Sequence, residues 1–224
     1  MLEIIGMTVN DAKIIEDCGA DRIELVSALT EGGLTPSFGI IESVIKNVKI
    51  PVNVMIRHHA KGFIYSDEEV DIMLRDIDIV KKLGANGVVL GMLDRDKNIS
   101  EVQLRRILKN CNGIDVTFHK AIDETNPIES IKILKRYKEI TNVLTSGGNG
   151  NIVNNIPIIK EMIGNSEHIN ILLGGGLNFN NIEMLKENTE FTDFHFGTSV
   201  RINNSPFEEI SEEKLKCLVK ILKK

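Results

Sequence analysis

The chain has 224 residues, 42% of them hydrophobic and 26% charged, with a formal net charge of -5. That is enough apolar material for a sizeable core, and so mild an acidity argues against nucleic acid or an anionic membrane as a partner. Cys18, Cys111 and Cys217 are too scattered for a disulfide framework and no apolar run approaches ~18 residues, so the expectation is a soluble, cytoplasmic protein.

In chain order, short apolar runs alternate with amphipathic segments. A strand at 2–5 leads to a helix from Thr8, where Thr8-Val9-Asn10-Asp11 resembles a capping box, ending at Gly19. A second strand, 21–25, passes through Gly32-Gly33 to a helix near 37–47. Pro51 opens a third strand at 52–56, and Ser66-Asp67-Glu68-Glu69 caps a helix that Gly84 stops. The fourth strand is 87–90, with a helix from Ser100. The fifth is 115–118, and Asn126-Pro127 starts the next helix. The sixth is 142–145, with a helix at about 151–163; the seventh is 169–173, with a helix from Asn180. The eighth is 193–196, and a last amphipathic helix spans about 206–222, with Ser211 as a start signal within it. Eight strand–helix units with no linker predict one domain over residues 1–224, a (β/α)8 barrel, with a doubly wound open sheet as the alternative.

Strand alternation then sorts the side chains. Arg22 and Glu24 oppose Ile23 and Leu25; Asn53, Met55 and Arg57 oppose Val52, Val54 and Ile56. Thr117 and His119 oppose Val116 and Phe118, and His195 lies between Phe194 and Phe196. The helices need apolar partners, so the polar faces point into the barrel: Glu3, Arg22, Glu24, Asn53, Arg57, Thr117, His119 and His195. Barrel interiors are normally filled by Val, Ile and Leu. Either this set is a buried ion-pair network that fixes the register, or it is a site. Glu24, Arg57, His119 and His195 fall at the carboxyl ends of their strands, where barrel active sites sit, with Glu3 and Arg22 supporting them from below.

Such a set allows acid/base work: a histidine exchanges a proton, a carboxylate orients it, and an arginine holds a carboxylate or phosphate. Asp123, in the loop after His119, either reaches over the mouth or caps a turn. Lys120 points away from His119 by alternation, which assigns it to the surface rather than to a Schiff base. Glycine clusters follow three strands: Ser146-Gly147-Gly148, Gly174-Gly175-Gly176 and Gly197-Thr198. Their N–H groups either bind an anion, as in many barrels, or the glycines serve tight turns. His58 and His59 are adjacent in a loop, so their side chains are expected to diverge rather than chelate. Glu24, His119 and His195 could make a two-histidine, one-carboxylate metal set, though the spacing does not require it.

Several stretches resemble one family. Ala20 to Leu25, Glu31-Gly32-Gly33-Leu34-Thr35-Pro36-Ser37, Met55-Ile56-Arg57, Gly62-Phe63-Ile64-Tyr65-Ser66, Thr117-Phe118-His119-Lys120-Ala121-Ile122-Asp123 and Leu144-Thr145-Ser146-Gly147-Gly148 are similar to the CutC family over residues 1 to about 200. The resemblance implies a (β/α)8 barrel, a cytoplasmic location and a role in copper homeostasis, with copper as the ligand to consider. The chain also departs from that pattern. Family members often carry cysteine at the end of the first strand and after the second; here Ile5, Gly6 and Val26 stand there. His58-His59 replace the usual Pro-Arg, and Lys120 replaces arginine. Copper(I) favours thiolate and thioether ligands, so the missing cysteines weaken the case for copper binding.

Two functions stay open on the sequence: copper handling, direct or indirect, and acid/base enzymology on a small anionic substrate, phosphorylated compounds included. A binding barrel without chemistry or a homo-oligomeric scaffold is the third reading.

Overall fold

Alternation of β-branched runs with capped helices resolves into eight strand–helix units. A computed structural model describes residues 1–187 and 191–223. The strands are β1 (Leu2–Gly6), β2 (Arg22–Leu25), β3 (Val52–Met55), β4 (Gly87–Leu90), β5 (Asp115–Phe118), β6 (Ile140–Thr145), β7 (Asn170–Leu173) and β8 (Asp193–Phe196). All pair in parallel and close into a barrel in chain order, β8 meeting β1. The structure is thus the (β/α)8 barrel that the pattern predicts rather than an open sheet.

The helices are α1 (Val9–Asp17), α2 (Phe38–Asn47), α3 (Asp67–Lys82), α4 (Glu101–Leu108), α5 (Pro127–Leu134), α6 (Ile156–Asn165), α7 (Ile182–Lys186) and α8 (Glu212–Leu222). They bury apolar stripes against the outward strand residues; Val70, Met73, Ile77 and Val80 of α3 are inaccessible to solvent. A full capping box stands at α3, where Ser66 and Glu69 satisfy each other's backbone N–H groups. At α1, Thr8 caps Asp11, but the Asp11 carboxylate turns to Met7 N–H and Arg201 instead of closing a box.

Two helix starts differ from expectation. Residues 151–155 form turns before α6, because the Asn155 amide is committed to the carbonyls of Ser146 and Asn149. Residues 206–210 are not helical: Ile210 bridges antiparallel to Arg201, and α8 begins only after the Ser211 cap. No helix among the described residues is long and apolar enough to cross a membrane.

Candidate active site

Strand register decides what meets inside the barrel. Glu3 of β1 is level with Arg22 of β2 on one side and His195 of β8 on the other. Arg22 Nε donates to Glu3 Oε2, and His195 Nδ1 meets Glu3 Oε1 at 2.7 Å. Glu24, nearer the carboxyl end of β2, presents Oε2 3.6 Å from the other imidazole nitrogen, Nε2. All four side chains are buried.

Their charges follow from these contacts. Burial opposes the Glu3 anion, but Arg22 and His195 outweigh it and hold its pKa below the ordinary value. At Glu24 burial dominates and Glu3 adds repulsion, so its pKa is pushed up to about 7 despite the pull of His195. Burial also disfavours a charged His195, yet Glu24 and Glu3 together raise its pKa above the imidazole norm. The pair thus favours the charged form of His195, with Glu24 titrating beside it. At 3.6 Å the two are not hydrogen-bonded to each other, so a substrate atom beside them could contact both acid and base.

His119, just past β5, is a different histidine. Its Nδ1 accepts from Ala121 N–H at 3.1 Å, which puts the ring proton on Nε2. Burial, with Arg57 second, draws its pKa down to about 3. It is a neutral donor, with a buried Nε2 that has no hydrogen-bond partner among the described residues. The ring lies over Gly91, where a Cβ would collide with Cε1 and Nδ1, and its centroid is 4.7 Å from that of Phe63.

Arg57, just past β3, is anchored through Nη1 to the carbonyls of Glu31 (2.6 Å) and Gly33 (3.2 Å). Its guanidinium carbon sits 4.9 Å over the Phe63 ring. No carboxylate among the described residues pairs with it, and Nε has no hydrogen-bond partner. Glu24, Arg57, His119 and His195 thus share one cavity of about 260 Å³ at the carboxyl ends of the strands, with Met55 and Phe63 in its wall.

The glycine loops divide. After β6 the donors are already engaged: Ser146 N–H, Ser146 Oγ and Gly148 N–H all reach the Asp123 carboxylate, and Gly147 N–H goes to Thr145 Oγ1. The anion in that loop is the protein's own, so Ser146, Gly147 and Gly148 are corrected from an external anion site to an internal one. Asp123 supplies it. Its carboxylate is fixed among these donors and Thr145 Oγ1, and it lines an adjoining cavity that shares Arg57, Phe63 and Lys120 with the first. After β7, Gly174 N–H goes to Thr145 O, but Gly175 and Gly176 N–H have no partner among the described residues. The same holds for Gly197 and Thr198 after β8, and all four residues line the cavity.

Lys120 is exposed, in keeping with its assignment to the surface, and it also lines the cavity. The residue sits in a 3-10 turn over Lys120–Glu124, where strand alternation no longer holds, and its ammonium is 3.7 Å from Asp123 and packed on Gly175. His58 and His59 do not diverge as expected: both Nε2 atoms lie 3.4 Å from Glu69 Oε1. Phe63 and Arg201 carry no periodic signal and were not singled out by pattern. Arg201, 1% exposed, ties the loop after β8 to Asp11 and to Ile5 O.

Glu3, Glu24 and His195 offer ligand atoms within 4.8 Å of one another, a spacing a metal ion could bridge. Their chemistry does not fit copper(I). They are oxygen and nitrogen donors, Arg22 already occupies Glu3, and Met55 is the one sulfur in the cavity wall. Cys18 and Cys111 are buried in the outer layer, and Cys217 is exposed on α8.

Residues 1–200 match the CutC family. A CutC family protein of Pasteurella multocida (strain Pm70) is 35% identical over 209 residues, covering 92% of this chain and 85% of its own. The copper homeostasis protein cutC homolog of Homo sapiens is 37% identical over 197 residues, 87% of this chain and 72% of its own. Among solved structures, CutC from Streptococcus agalactiae superposes with a TM-score of 0.82 at 29% identity, over 88% of this chain and 98% of that one. Phosphoribosyl anthranilate isomerase from Thermococcus kodakaraensis, at TM-score 0.62 and 15% identity over 98% of each chain, shares the fold alone.

Proposed function

The chain belongs to the CutC family, and from that premise we propose that it serves copper homeostasis indirectly, by acid/base chemistry on a small anionic molecule held at the barrel mouth. The relatives' names supply the setting; the cavity supplies the mode. One observation carries the reading: Arg57 is a buried cation with no carboxylate partner among the described residues, facing the same cavity as the Glu24–His195 pair. A buried charge left unpaired is costly, and a ligand carboxylate or phosphate would relieve it. Lys120 and the free N–H groups of Gly175, Gly176, Gly197 and Thr198 stand around the same space. In this reading His195 Nε2–H donates a proton, Glu24 accepts one, and neutral His119 hydrogen-bonds a developing negative charge. Three free cysteines suit a reducing compartment, and we assign the protein to the cytoplasm.

Thermal shift tests the anion. Phosphate, sulfate and sugar phosphates are screened at millimolar concentration; a ligand at 100 times its Kd stabilises a fold by about 2.7 kcal/mol. We expect a rise in Tm that Lys120→Met diminishes at least severalfold. If no anion moves the parent, the loops are turns and the reading fails. Gly175→Asp is a poorer probe, because Gly175 has a φ of +87° and its added carboxylate would pair with Lys120.

A second reading, direct metal binding, rests on the spacing of Glu3, Glu24 and His195. Competition against a chromophoric copper(I) chelator should show weak retention or none. Stoichiometric retention, abolished by changing Cys18 or Cys217, would show that the sulfur ligands lie in the helical layer instead.

A further inference from the structure

His58 and His59 lie on the loop between β3 and α3 and have no part in the chemistry above. We propose that they and Glu69 form a binding site for a zinc-type divalent cation, which fastens this loop to the first turn of α3.

Convergence is the first argument. Both Nε2 atoms point at the same carboxylate oxygen, each 3.4 Å away, with the two rings edge to face at 4.5 Å. Those separations are too long for hydrogen bonds of ~2.7–3.2 Å. They match another geometry: nitrogen and oxygen ligands ~2.0–2.1 Å from a tetrahedral zinc ion stand about 3.4 Å apart. The ligand atoms of all three residues lie within 4.8 Å of one another, so one ion can reach them together.

Orientation is the second. The capping box fixes the Glu69 side chain, since Oε2 accepts from Ser66 N–H at 2.7 Å, and this leaves Oε1 turned to the histidines. Metal-binding carboxylates are commonly held by such outer hydrogen bonds. His58 Nε2 is also buried without a hydrogen-bond partner among the described residues. Tyr65 stacks beside His59 at 5.1 Å between centroids and limits the ring's freedom.

Donor chemistry selects the ion. Two imidazoles and one carboxylate suit a borderline divalent cation, with a remaining position for water. The absence of sulfur disfavours copper(I), and calcium and magnesium prefer all-oxygen shells. The site is distinct from the Glu3–Glu24–His195 trio, but its loop carries Arg57 and Phe63, so an ion here would steady one wall of the cavity.

Cobalt(II) provides the readout, because a four-coordinate ion gives intense visible bands. Metal-free protein is titrated with cobalt(II), then zinc(II) is added as competitor. We expect stoichiometric bands that zinc displaces, and a zinc-dependent rise in Tm. His58→Ala and His59→Ala should each remove both effects. Glu69→Gln keeps the cap and should weaken affinity at least tenfold, whereas Glu24→Gln should leave the bands unchanged. No bands in the parent, bands that survive His59→Ala, or bands lost in Glu24→Gln would each overturn the proposal. Unchanged Tm of the metal-free variants confirms that they are folded.

Discussion

Glu24→Gln should make the protein more stable at pH 8 while disabling its cavity. The Glu24 pKa stands near 7 against an ordinary 4.5, chiefly because burial strips the carboxylate of water. A group whose pKa is raised by folding contributes stability fully below its unfolded pKa, and loses it as pH rises through the folded one. Above pH 7 the native barrel therefore holds an ionised carboxylate at a cost on the order of 3 kcal/mol. Glutamine is the neutral isostere and does not bear that cost. That cost already includes the pull of His195, and a buried amide without a full set of hydrogen-bond partners takes back part of the gain. Urea unfolding of parent and variant should agree near pH 4.5, diverge above it and level off past pH 7, with the variant ahead by about 2 kcal/mol. A variant that is equally or less stable at pH 8 would mean that Glu24 is well solvated or well paired, and the acid/base reading would lose its base. Stability gained by removing a polar group is the mark of a residue kept for function.

What could be read without the structure depended on where strand alternation stops. Glu24 and His195 lie inside strands, and Arg57 and His119 lie one or two residues past them, so a period of two still placed their side chains in the lumen. Lys120 and Asp123 fall beyond that range, in a 3-10 turn where alternation no longer sets direction, so neither the reach of Lys120 into the cavity nor the donors around Asp123 could be read from it. His58 and His59 were misread for a related reason: adjacent residues diverge in a strand, but a loop can fold both onto Glu69. The partner of a charge was less legible still. Glu3 and His195 are 192 positions apart and meet only because β8 closes on β1. Asp11 and Arg201, 190 apart, meet for the same reason. The glycines after β6 looked like those after β7, and only the hydrogen bonds show that Asp123 already fills the first cluster.

Arg22→Met should be the most damaging single change in the lumen, and it separates support from catalysis. Arg22 is buried and its Nε donates to Glu3, which is itself inaccessible to solvent. Removing the guanidinium leaves Glu3 with His195 alone and puts two carboxylates, Glu3 and Glu24, around one imidazole ring. Breaking a buried ion pair from one side costs on the order of 3–5 kcal/mol. The pH dependence has a definite sign. In the parent, Glu3 has a lowered pKa and contributes stability above pH 4.5 that is lost as pH falls. Without Arg22, burial governs the group and its pKa rises, so the penalty is largest at pH 8 and shrinks on acidification. Arg22→Met combined with Glu3→Gln removes the orphaned charge and should recover most of the loss, a coupling that a double-mutant cycle measures directly. If Arg22→Met cost less than about 1 kcal/mol, Glu3 would have to be paired or hydrated by other means. In the double variant His195 loses the Glu3 hydrogen bond that raises its pKa, while Glu24 and Arg57 remain. Anion binding should therefore persist with its pH profile displaced downward, which a network that only fixed the barrel register would not produce.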